Sequence, residues 1–481
     1  MSETTRIFNI PDCLVTRHYN EGDVLPEYRT EFMRDRDRLM YATAFRRLSG
    51  KTQIYTVGRD DHRKNRLTHT LEVSQIARTI AIALHLNPDL AEAIALGHDF
   101  GHTPFGHAGE KMLHDIMVPN SSYVKQSPFY HKDISEITSR FEREDKSRKE
   151  ITDYAFGFKH NLQSVRVSAL LEDSYRNANK ENIGLNLTNF TLYGMMIHSA
   201  LKYKENDLYP NFQQLFKDQM KLKDSDEPAW SFEAYIVKIA DDIAQWHHDL
   251  EDAMREGVLP LTKICDTVLE SLQYALTEED KQKLSKIKEL PRMDRHCIAE
   301  LSHIVVNTLV SDLVKTSTEN FKSLKADLDE KGVISSDNLF KNYDTLGLKM
   351  QREKVIAFSP EIRTDIFKGI IKESIHHSRN VERMNEKGKY IIRKLFEAYY
   401  AHPQQLPDGP ILHLLVDIGS DTYKNIDKAK SAGIGEARVE FEKIMKNPKI
   451  SVECMLMRRI CDHIASMTDH YAIEEYNSLY G

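Results

Sequence analysis

Paired cysteines, long apolar runs and the alternating pattern of β-strands are all scarce in this chain. Five cysteines are spread over 481 residues, and none of them forms a CxxC pair. A cysteine-based structural zinc site is therefore not expected, and isolated thiols suit a reducing, cytoplasmic compartment. No apolar run approaches the roughly 20 residues that cross a bilayer. The first residues also lack the features of a secretory signal, so we expect a soluble protein with no membrane partner.

The charge balance excludes another class of function. Lys and Arg number 66 against 73 Asp and Glu, for a net charge of -7. A general nucleic-acid binder is usually basic, so this composition argues against one. Local basic clusters leave single-stranded DNA binding open, although we expect most of their members in surface or interface ion pairs. The cationic residues concerned are Arg34, Arg36, Arg38, Arg46, Arg47 and Lys51.

Apolar residues recur at helical spacing through most of the chain, which predicts an all-α fold. One helix is expected from 65 to 86. Asn87 and Pro88 then start a second helix that runs to about His98, because Asn caps helices and Pro suits their first turn. A further amphipathic helix is expected from 232 to 256.

Histidines cluster just beyond the second of these helices. The cluster contains His98, His102, His107 and His114. The neighbouring helix breakers are expected to interrupt regular structure, and they are Gly101, Pro104, Gly106 and Gly109. At the helix end, His98 and Asp99 offer an imidazole nitrogen and a carboxylate oxygen, which are ligands for divalent cations. The dipeptide alone is weak evidence, because it arises by chance in many proteins.

Two residues elsewhere can complete a metal site with this pair. His69 shares a helical face with Val73 and so points at the interior, where a lone histidine is more often a core residue than a ligand. Asp241 shares a face with Val237, and a carboxylate is costly to bury unless it is paired or bound to a metal. Each residue is ambiguous alone, whereas the ordered set points to a metal centre.

The order His69, His98-Asp99, Asp241 resembles the HD superfamily of metal-dependent phosphohydrolases, and more narrowly its dGTPase family. Several blocks between residues 34 and 257 carry the resemblance in series, which makes it specific. They are RDRDRLMYATAFRRLSGKTQIY, RLTHTLEVSQIART, GHDFGHTPFGHAGE, FKHNLQSVRV, GLNLTNFTLYG and IADDIA…HDLEDA. The C-terminal third is less similar, mainly in VERMNEKGKYIIRKLFEAYY.

The resemblance implies the HD-domain helical phosphohydrolase fold with an additional helical C-terminal region. We expect an HD-type catalytic core with its N-terminal segment in residues 1–257. A helical connecting region is expected in 258–361, and a C-terminal helical region that packs on the core in 362–481.

The resemblance also implies roles for the site residues. The metal ligands would be His69, His98, Asp99 and Asp241, holding one divalent ion per subunit. Mn²⁺ or Mg²⁺ suits phosphate oxygens best, with Fe, Co or Zn left open by the two histidines. The catalytic group would be His107 with Glu110, assisted by His102 and His160. Asp242 is the residue most easily confused with Asp241.

Substrate contacts are implied for Gln53, Arg66, Gln245 and Asp249. An Arg guanidinium suits a triphosphate, and an amide suits a ribose hydroxyl. The family relatives carry a tyrosine, stacked on the deoxyribose, at the position of Gln245. The departure to Gln, with Trp246 beside it, leaves the basis of deoxyribose selection open.

The implied activity is hydrolysis of dGTP, with other dNTPs open, to deoxynucleoside and inorganic triphosphate. The nearest alternative is an HD phosphohydrolase of another nucleotide, such as a guanosine tetraphosphate or a cyclic dinucleotide. A nucleotide-sensing regulator is a further alternative. The resemblance also implies a homo-oligomer, a tetramer or hexamer, and a nucleotide or single-stranded DNA effector stays open.

Overall fold

The fold is all-α, as the sequence predicts. The computed structural model describes residues 6–52, 64–117, 157–179, 181–197, 220–225, 229–255, 257–290, 295–371, 378–419, 433–446, 448 and 450–481. Within these residues there are 19 α-helices and no β-strand, only three isolated β-bridges. The HD fold class with an added C-terminal helical region is thereby confirmed.

Eight of these helices precede residue 257, and eleven follow it. The first eight are α1 (Glu31–Tyr41), α2 (Thr43–Arg47), α3 (Arg66–Ala83), α4 (Pro88–Gly97), α5 (Gly106–Met117), α6 (His160–Arg166), α7 (Asn189–Ile197) and α8 (Phe232–Arg255). The next six are α9 (Leu261–Leu272), α10 (Glu278–Lys288), α11 (Arg295–Glu330), α12 (Ser336–Lys341), α13 (Leu348–Val355) and α14 (Thr364–Ile371). The last five are α15 (Arg379–Ala401), α16 (Asp408–Asp417), α17 (Ile434–Met445), α18 (Ile450–Ser466) and α19 (Asp469–Tyr480).

Helices α3 and α4 begin where their capping residues predict. The Asn65 side chain accepts the backbone N–H of Thr68 at 3.0 Å, and the Thr68 hydroxyl accepts the N–H of Asn65 at 3.1 Å. Asn87 accepts the N–H groups of Asp89 and Leu90. These bonds satisfy amides that have no partner within the first helical turn. Both predicted helix starts are therefore confirmed.

The expectation that Gly106 and Gly109 interrupt regular structure is wrong. Gly106, with φ of +58°, begins α5, and Gly109 lies inside that helix. A Cβ on Gly109 would lie 2.1 Å from the carbonyl oxygen of Pro104, so only glycine lets the helix approach the preceding loop this closely. The glycines therefore serve packing, and α5 carries the last histidines of the cluster.

Within the residues that the structure describes, two hydrophobic cores hold the helices together. The first extends from Ile7 to Phe367, with α3, α4 and α8 at its centre. The second joins α5 and Phe158 to C-terminal helices from α15 to α19. Helix α5 therefore belongs to the same core as the C-terminal helices. The three-segment division at residues 257 and 361 stays a prediction.

Helix α11 is the one described helix that is long and apolar enough to cross a membrane, judged by length and composition. The core helix of a soluble protein passes the same test. Its Leu301, Leu309 and Leu313 are fully buried in the first core, where the helix packs on α8. The described part of this helix is a component of that core.

Several cations expected at the surface are buried instead. Arg34 and Arg38 are 9% and 5% exposed, and both bind the carboxylate of Glu21. Lys51 is 1% exposed, and its Nζ donates to the backbone oxygens of His102 and, at 2.8 Å, Ala465. Arg34 and Arg38 therefore form ion pairs as expected, but buried within the chain, and Lys51 forms buried hydrogen bonds to backbone oxygens instead. Lys51 links the loop after α4 to the end of α18.

Candidate active site

Helix α3 delivers a cation and an imidazole to one buried point. Arg66 is its first residue, and its Nη1 donates to Asp99 Oδ2 at 2.9 Å, with both side chains 3% exposed. His69 lies one turn later, and its Nε2 is 2.7 Å from Asp241 Oδ1, on α8. A helical spacing of three residues places both side chains on the same face. The pair therefore lies against the end of α4 and the middle of α8.

Four donor atoms from three helical segments converge at this point. His98 caps the C-terminus of α4, and Asp99 follows it. One donor atom each from His69, His98 and Asp99 lie within 4.8 Å of one another. His98 Nε2 is 3.2 Å from Asp99 Oδ1 and 3.8 Å from Asp241 Oδ1. Because His98 Nδ1 lies 2.5 Å from the carbonyl oxygen of Ala95, Nδ1 is the nitrogen that donates to the backbone, and Nε2 is the one that faces the carboxylates and could bind a cation.

This donor set fits a divalent cation. It offers two imidazole nitrogens and two carboxylate oxygens, a combination that suits first-row metals and tolerates Mg²⁺. Burial by itself would raise the pKa of Asp99, but His102, His98 and Arg66 outweigh burial and hold that pKa well below its usual range. Asp99 is therefore an anion, as a metal ligand must be.

A second group of side chains adjoins the first through Asp99. His102 Nε2 is 3.1 Å from Asp99 Oδ1, and the His102 ring stacks on His160 with centroids 3.8 Å apart. Glu110 lies between two histidines. Its Oε2 is 3.1 Å from His107 Nδ1, and its Oε1 is 3.0 Å from His160 Nδ1. Because α5 starts at Gly106, His107 and Glu110 are one helical turn apart.

The electrostatics of this second group differ from one member to the next. Burial would raise the pKa of Glu110, but His160, His107 and Lys159 outweigh it and lower that pKa well below its usual range. Burial lowers the pKa of His102 well below its usual value and also lowers that of His160. The side chain of His107 is 67% exposed. The group thus combines a buried carboxylate with one solvent-accessible imidazole.

Several buried polar atoms near the site have no hydrogen-bond partner among the described residues. Two of them belong to residues expected to contact the substrate, and they are Nε of Arg66 and Oδ1 of Asp249. Burial raises the pKa of Asp249 well above its usual value, with Asp252 and Asp241 adding to the effect. Buried polar atoms are nearly always satisfied in native structures, so such atoms are candidates for contact with a ligand.

Comparison with known proteins agrees with this geometry. The HD domain family matches residues 66–246, and the phosphohydrolase-associated domain family matches 356–411 and 440–478. The chain is 32% identical to a deoxyguanosinetriphosphate triphosphohydrolase-like protein of Bartonella henselae, over 94% of this chain and 90% of the relative. The chain belongs to the dGTPase family of the HD superfamily. It is a dGTPase-like hydrolase.

Two further relatives share the description deoxyguanosinetriphosphate triphosphohydrolase-like protein. The one from Bordetella pertussis is 30% identical over 97% of this chain and 94% of its own length. The one from Azoarcus sp. (strain BH72) is 31% identical over the same two shares. HD-domain hydrolases are metal-dependent, in agreement with the donor atoms described above.

The residues expected to contact the nucleoside in this dGTPase-family chain are only partly gathered at the site. Asp249 is 1% exposed on α8, and Gln245 is partly exposed one turn before it. Trp246 does not stand in for the tyrosine of the family, because its ring stacks on Phe367 of α14 in the first core. Gln53 lies outside the described residues. Asp242 follows Asp241 on α8, and it is Asp241 whose Oδ1 lies 2.7 Å from His69 Nε2.

Sequence reasoning missed a chain of contacts behind His69. His69 Nδ1 is 3.3 Å from His248 Nδ1, and His248 Nε2 contacts Glu72 Oε2. A metal-bound histidine commonly donates its other N–H to a neighbouring acceptor, which fixes its orientation. The spacing His69-x-x-Glu72 on one face of α3 was the available signal, and its meaning depends on the packing of α8.

Sequence reasoning also missed the C-terminal residues that hold the loop after α4, which carries His102. Asp469, the first residue of α19, accepts the backbone N–H groups of Thr52 at 3.1 Å and Phe105 at 2.9 Å. On α18, Asp462 pairs with Arg166 at 2.8 Å. The loop that carries His102 is thus fastened to residues more than 300 positions later. No local motif reveals such contacts.

Proposed function

We propose that this protein is a metal-dependent dNTP triphosphohydrolase with dGTP as its leading substrate. The observation that carries the proposal is the junction of two groups through Asp99. One oxygen of that carboxylate lies 3.2 Å from His98 in the metal-type donor set and 3.1 Å from His102, beside the Glu110 histidines. An ion and a proton donor can therefore act on neighbouring atoms of one substrate.

The proposed metal ligands are His69, His98, Asp99 and Asp241. A divalent ion held there would supply Lewis-acid polarisation of phosphate oxygens and a lowered pKa for an attacking water. Mn²⁺ or Mg²⁺ is our first choice, with Fe, Co or Zn compatible with the two imidazoles.

The proposed catalytic pair is His107 and Glu110. The reaction forms a bond from water oxygen to the α-phosphorus and breaks the bond from that phosphorus to the 5′ oxygen, which must gain a proton. A histidine is the natural acid near neutral pH, and Glu110 at 3.1 Å orients the His107 ring. His102 and His160 contact the phosphates or assist the proton transfer. The products are deoxynucleoside and inorganic triphosphate.

The proposed substrate contacts are Gln53, Arg66, Gln245 and Asp249. Arg66 reaches Asp99 with Nη1 and leaves its buried Nε for a phosphate oxygen. Asp249 has a buried oxygen without a hydrogen-bond partner in the described part of the chain, which suits the 3′-hydroxyl of a deoxyribose. These two unsatisfied atoms support a nucleotide with a sugar on one side and phosphates on the other.

The remaining properties rest on family likeness and composition. We propose a cytoplasmic homo-oligomer, a tetramer or hexamer, that holds one metal ion per subunit and is open to a nucleotide or single-stranded DNA effector. Isolated cysteines suit a reducing compartment. The proposed chain organisation keeps the segments 1–257, 258–361 and 362–481.

A metal-reconstituted assay tests the activity. The enzyme is incubated with each dNTP, GTP, a guanosine tetraphosphate and a cyclic dinucleotide, and products are identified by anion-exchange chromatography. We expect intact triphosphate and deoxynucleoside, fastest from dGTP. Release of orthophosphate or pyrophosphate, or turnover of the last two substrates alone, would favour another HD phosphohydrolase. Binding of dGTP without turnover would favour a regulator.

Adjacent aspartates provide a matched pair for the metal site. Asp241→Ala removes the oxygen that lies 2.7 Å from His69, whereas Asp242→Ala changes its neighbour on the same helix. We expect the first variant to lose both Mn²⁺ binding and triphosphate release, and the second to keep both. The reverse pattern would move the site to Asp242.

A further inference from the structure

A second group of metal-type donors lies behind His69, on the side away from Asp241. Glu72 belongs to α3, one turn after His69, and His247 and His248 are consecutive on α8. Oε2 of Glu72 is 3.0 Å from Nε2 of His247 and also contacts Nε2 of His248. One donor atom from each of the three residues lies within 4.8 Å of the others. The proposed catalytic group does not use these atoms.

The group is reachable from water and held by rigid elements. The two imidazoles are 9% and 2% exposed, while the Glu72 side chain is 34% exposed and forms the outer wall. Lys64 binds the other Glu72 oxygen, Oε1, at 2.9 Å and the Glu251 carboxylate at 3.1 Å. The same Nζ also lies 3.2 Å from Oε2, beside the two histidines. An ion that enters there would replace the hydrogen bonds of Oε2 with metal–ligand bonds, while Lys64 keeps its shorter bond to Oε1.

The donor types indicate which ions would enter. Two imidazole nitrogens and one carboxylate oxygen form a set that binds zinc at sites that retain an open position for water. The proposed catalytic metal site has one more carboxylate oxygen and so suits harder ions better. The set behind His69 is therefore expected to bind Zn²⁺ and similar divalent ions more tightly than it binds Mg²⁺ or Mn²⁺.

We propose that Glu72, His247 and His248 form a second cation site, selective for Zn²⁺-class ions, whose occupation weakens metal binding at the catalytic site. The linkage part of this proposal rests on the proposed function, because it takes His69 as a ligand of the catalytic metal. The second site itself needs only its own three donors.

The linkage follows from where the protons lie on two facing imidazoles. Nδ1 of His69 and Nδ1 of His248 are 3.3 Å apart, so one of them must donate and the other accept. A metal on His69 Nε2 puts the His69 proton on Nδ1, which donates to His248, and His248 then donates from Nε2 to Glu72. In this arrangement each ring nitrogen of His69 and His248 has a metal or a hydrogen-bond partner, and Glu72 accepts a hydrogen bond.

A cation on His248 Nε2 reverses the requirement. The His248 proton must then lie on Nδ1, where it faces the Nδ1 proton of His69. The hydrogen bond is lost, and two dications are placed on a linked pair of rings. Each ion therefore weakens the other by the same factor, which we expect to be about tenfold.

Zinc titration of the full chain tests the site without any substrate. Bound Zn²⁺ is counted by equilibrium dialysis and elemental analysis, and affinities are measured by calorimetry. We expect two ions per wild-type subunit, one for His247→Gln and one for Asp241→Ala. Asp241 is chosen because its side chain is partly exposed, at 18%, and its Oδ1 lies 2.7 Å from His69 Nε2 in the proposed catalytic metal site. Glu72→Gln serves as a second variant of the new site.

Each result discriminates between the two sites. Two ions in His247→Gln and Glu72→Gln, or a single ion in wild type that disappears in Asp241→Ala, would overturn the second site and leave the proposed function standing. Two ions in Asp241→Ala would overturn the proposed catalytic metal site and the linkage with it. If the remaining site of Asp241→Ala binds Zn²⁺ no more tightly than the weaker wild-type site, the linkage is wrong.

Discussion

The clearest quantitative prediction concerns Glu233, which joins two of the three helices that position the proposed metal ligands, α4 and α8. It lies in the first turn of α8, fully buried, and its Oε1 accepts the backbone N–H of Asn87, the capping residue of α4, at 2.9 Å. Burial raises the pKa of Glu233 from its usual 4.5 to about 7, against the lowering effect of its hydrogen bonds. At 1.36 kcal/mol per pKa unit this corresponds to about 3 kcal/mol.

The direction in which the free energy of unfolding changes with pH depends on whether the folded or the unfolded chain holds the proton more tightly. Below pH 4.5 the carboxyl is neutral in the folded and the unfolded chain. As the pH rises towards 7 the unfolded chain releases the proton while the folded chain keeps it, so the free energy of unfolding falls. About 2.5 kcal/mol of this loss is expected between pH 5 and pH 8. Above pH 7 the loss is complete.

Glu233→Gln keeps an acceptor for Asn87 and removes the titration. Urea unfolding is measured at pH 5, 6, 7 and 8. The free energy of unfolding of the variant should exceed that of the wild type by an amount that grows with pH and reaches about 3 kcal/mol at pH 8. Glu278→Gln, at a position whose side chain is 83% exposed, is the control and should track the wild type. A difference between Glu233→Gln and wild type that stays constant with pH would refute the reasoning.

Four further changes test the site and its supports. His107→Ala should keep Mn²⁺ binding and lose about 10²–10⁴-fold in triphosphate release, so loss of the metal would contradict the assigned role. Asp249→Leu should raise the KM for dGTP with Mn²⁺ affinity unchanged; an unchanged KM would remove Asp249 from the sugar site. Burial lowers the pKa of Lys51 to about 7, so wild-type Tm should fall as pH decreases from 10.5 to 7, and Lys51→Met should flatten that slope. Gly109→Ala should lower the free energy of unfolding by about 3 kcal/mol in urea, because its Cβ meets backbone; an unaltered midpoint would contradict the close approach.

Local chemistry made individual helix starts predictable from the sequence. Asn87 caps the helix it was expected to cap, because a short side-chain oxygen satisfies amides that have no other partner, and Asn65, where the preceding helix was expected to begin, does the same. The failure at Gly109 has a different origin. Glycine weakens an isolated helix, but here it removes a clash with a loop, and that close approach depends on tertiary packing.

The candidate site was predictable where a residue type carries its chemistry with it. A carboxylate such as Asp241 on an apolar helix face demands a partner, and the structure brings it to 2.7 Å from His69. The pairing of His69 with His248 could not be predicted, since it depends on how α3 and α8 cross. Trp246 shows the same limit, because its neighbour Gln245 is partly exposed while its own ring enters the core.

The bonds from Lys51 to the backbone of Ala465 and from Thr52 to Asp469 have a consequence for protein synthesis. They join parts of the chain that are 414 and 417 positions apart, so the loop that carries His102 cannot be secured until the C-terminal helices have left the ribosome. A nascent or prematurely terminated chain would form much of the first core while its histidines stay unaligned. An incomplete copy of this hydrolase is therefore expected to be inactive.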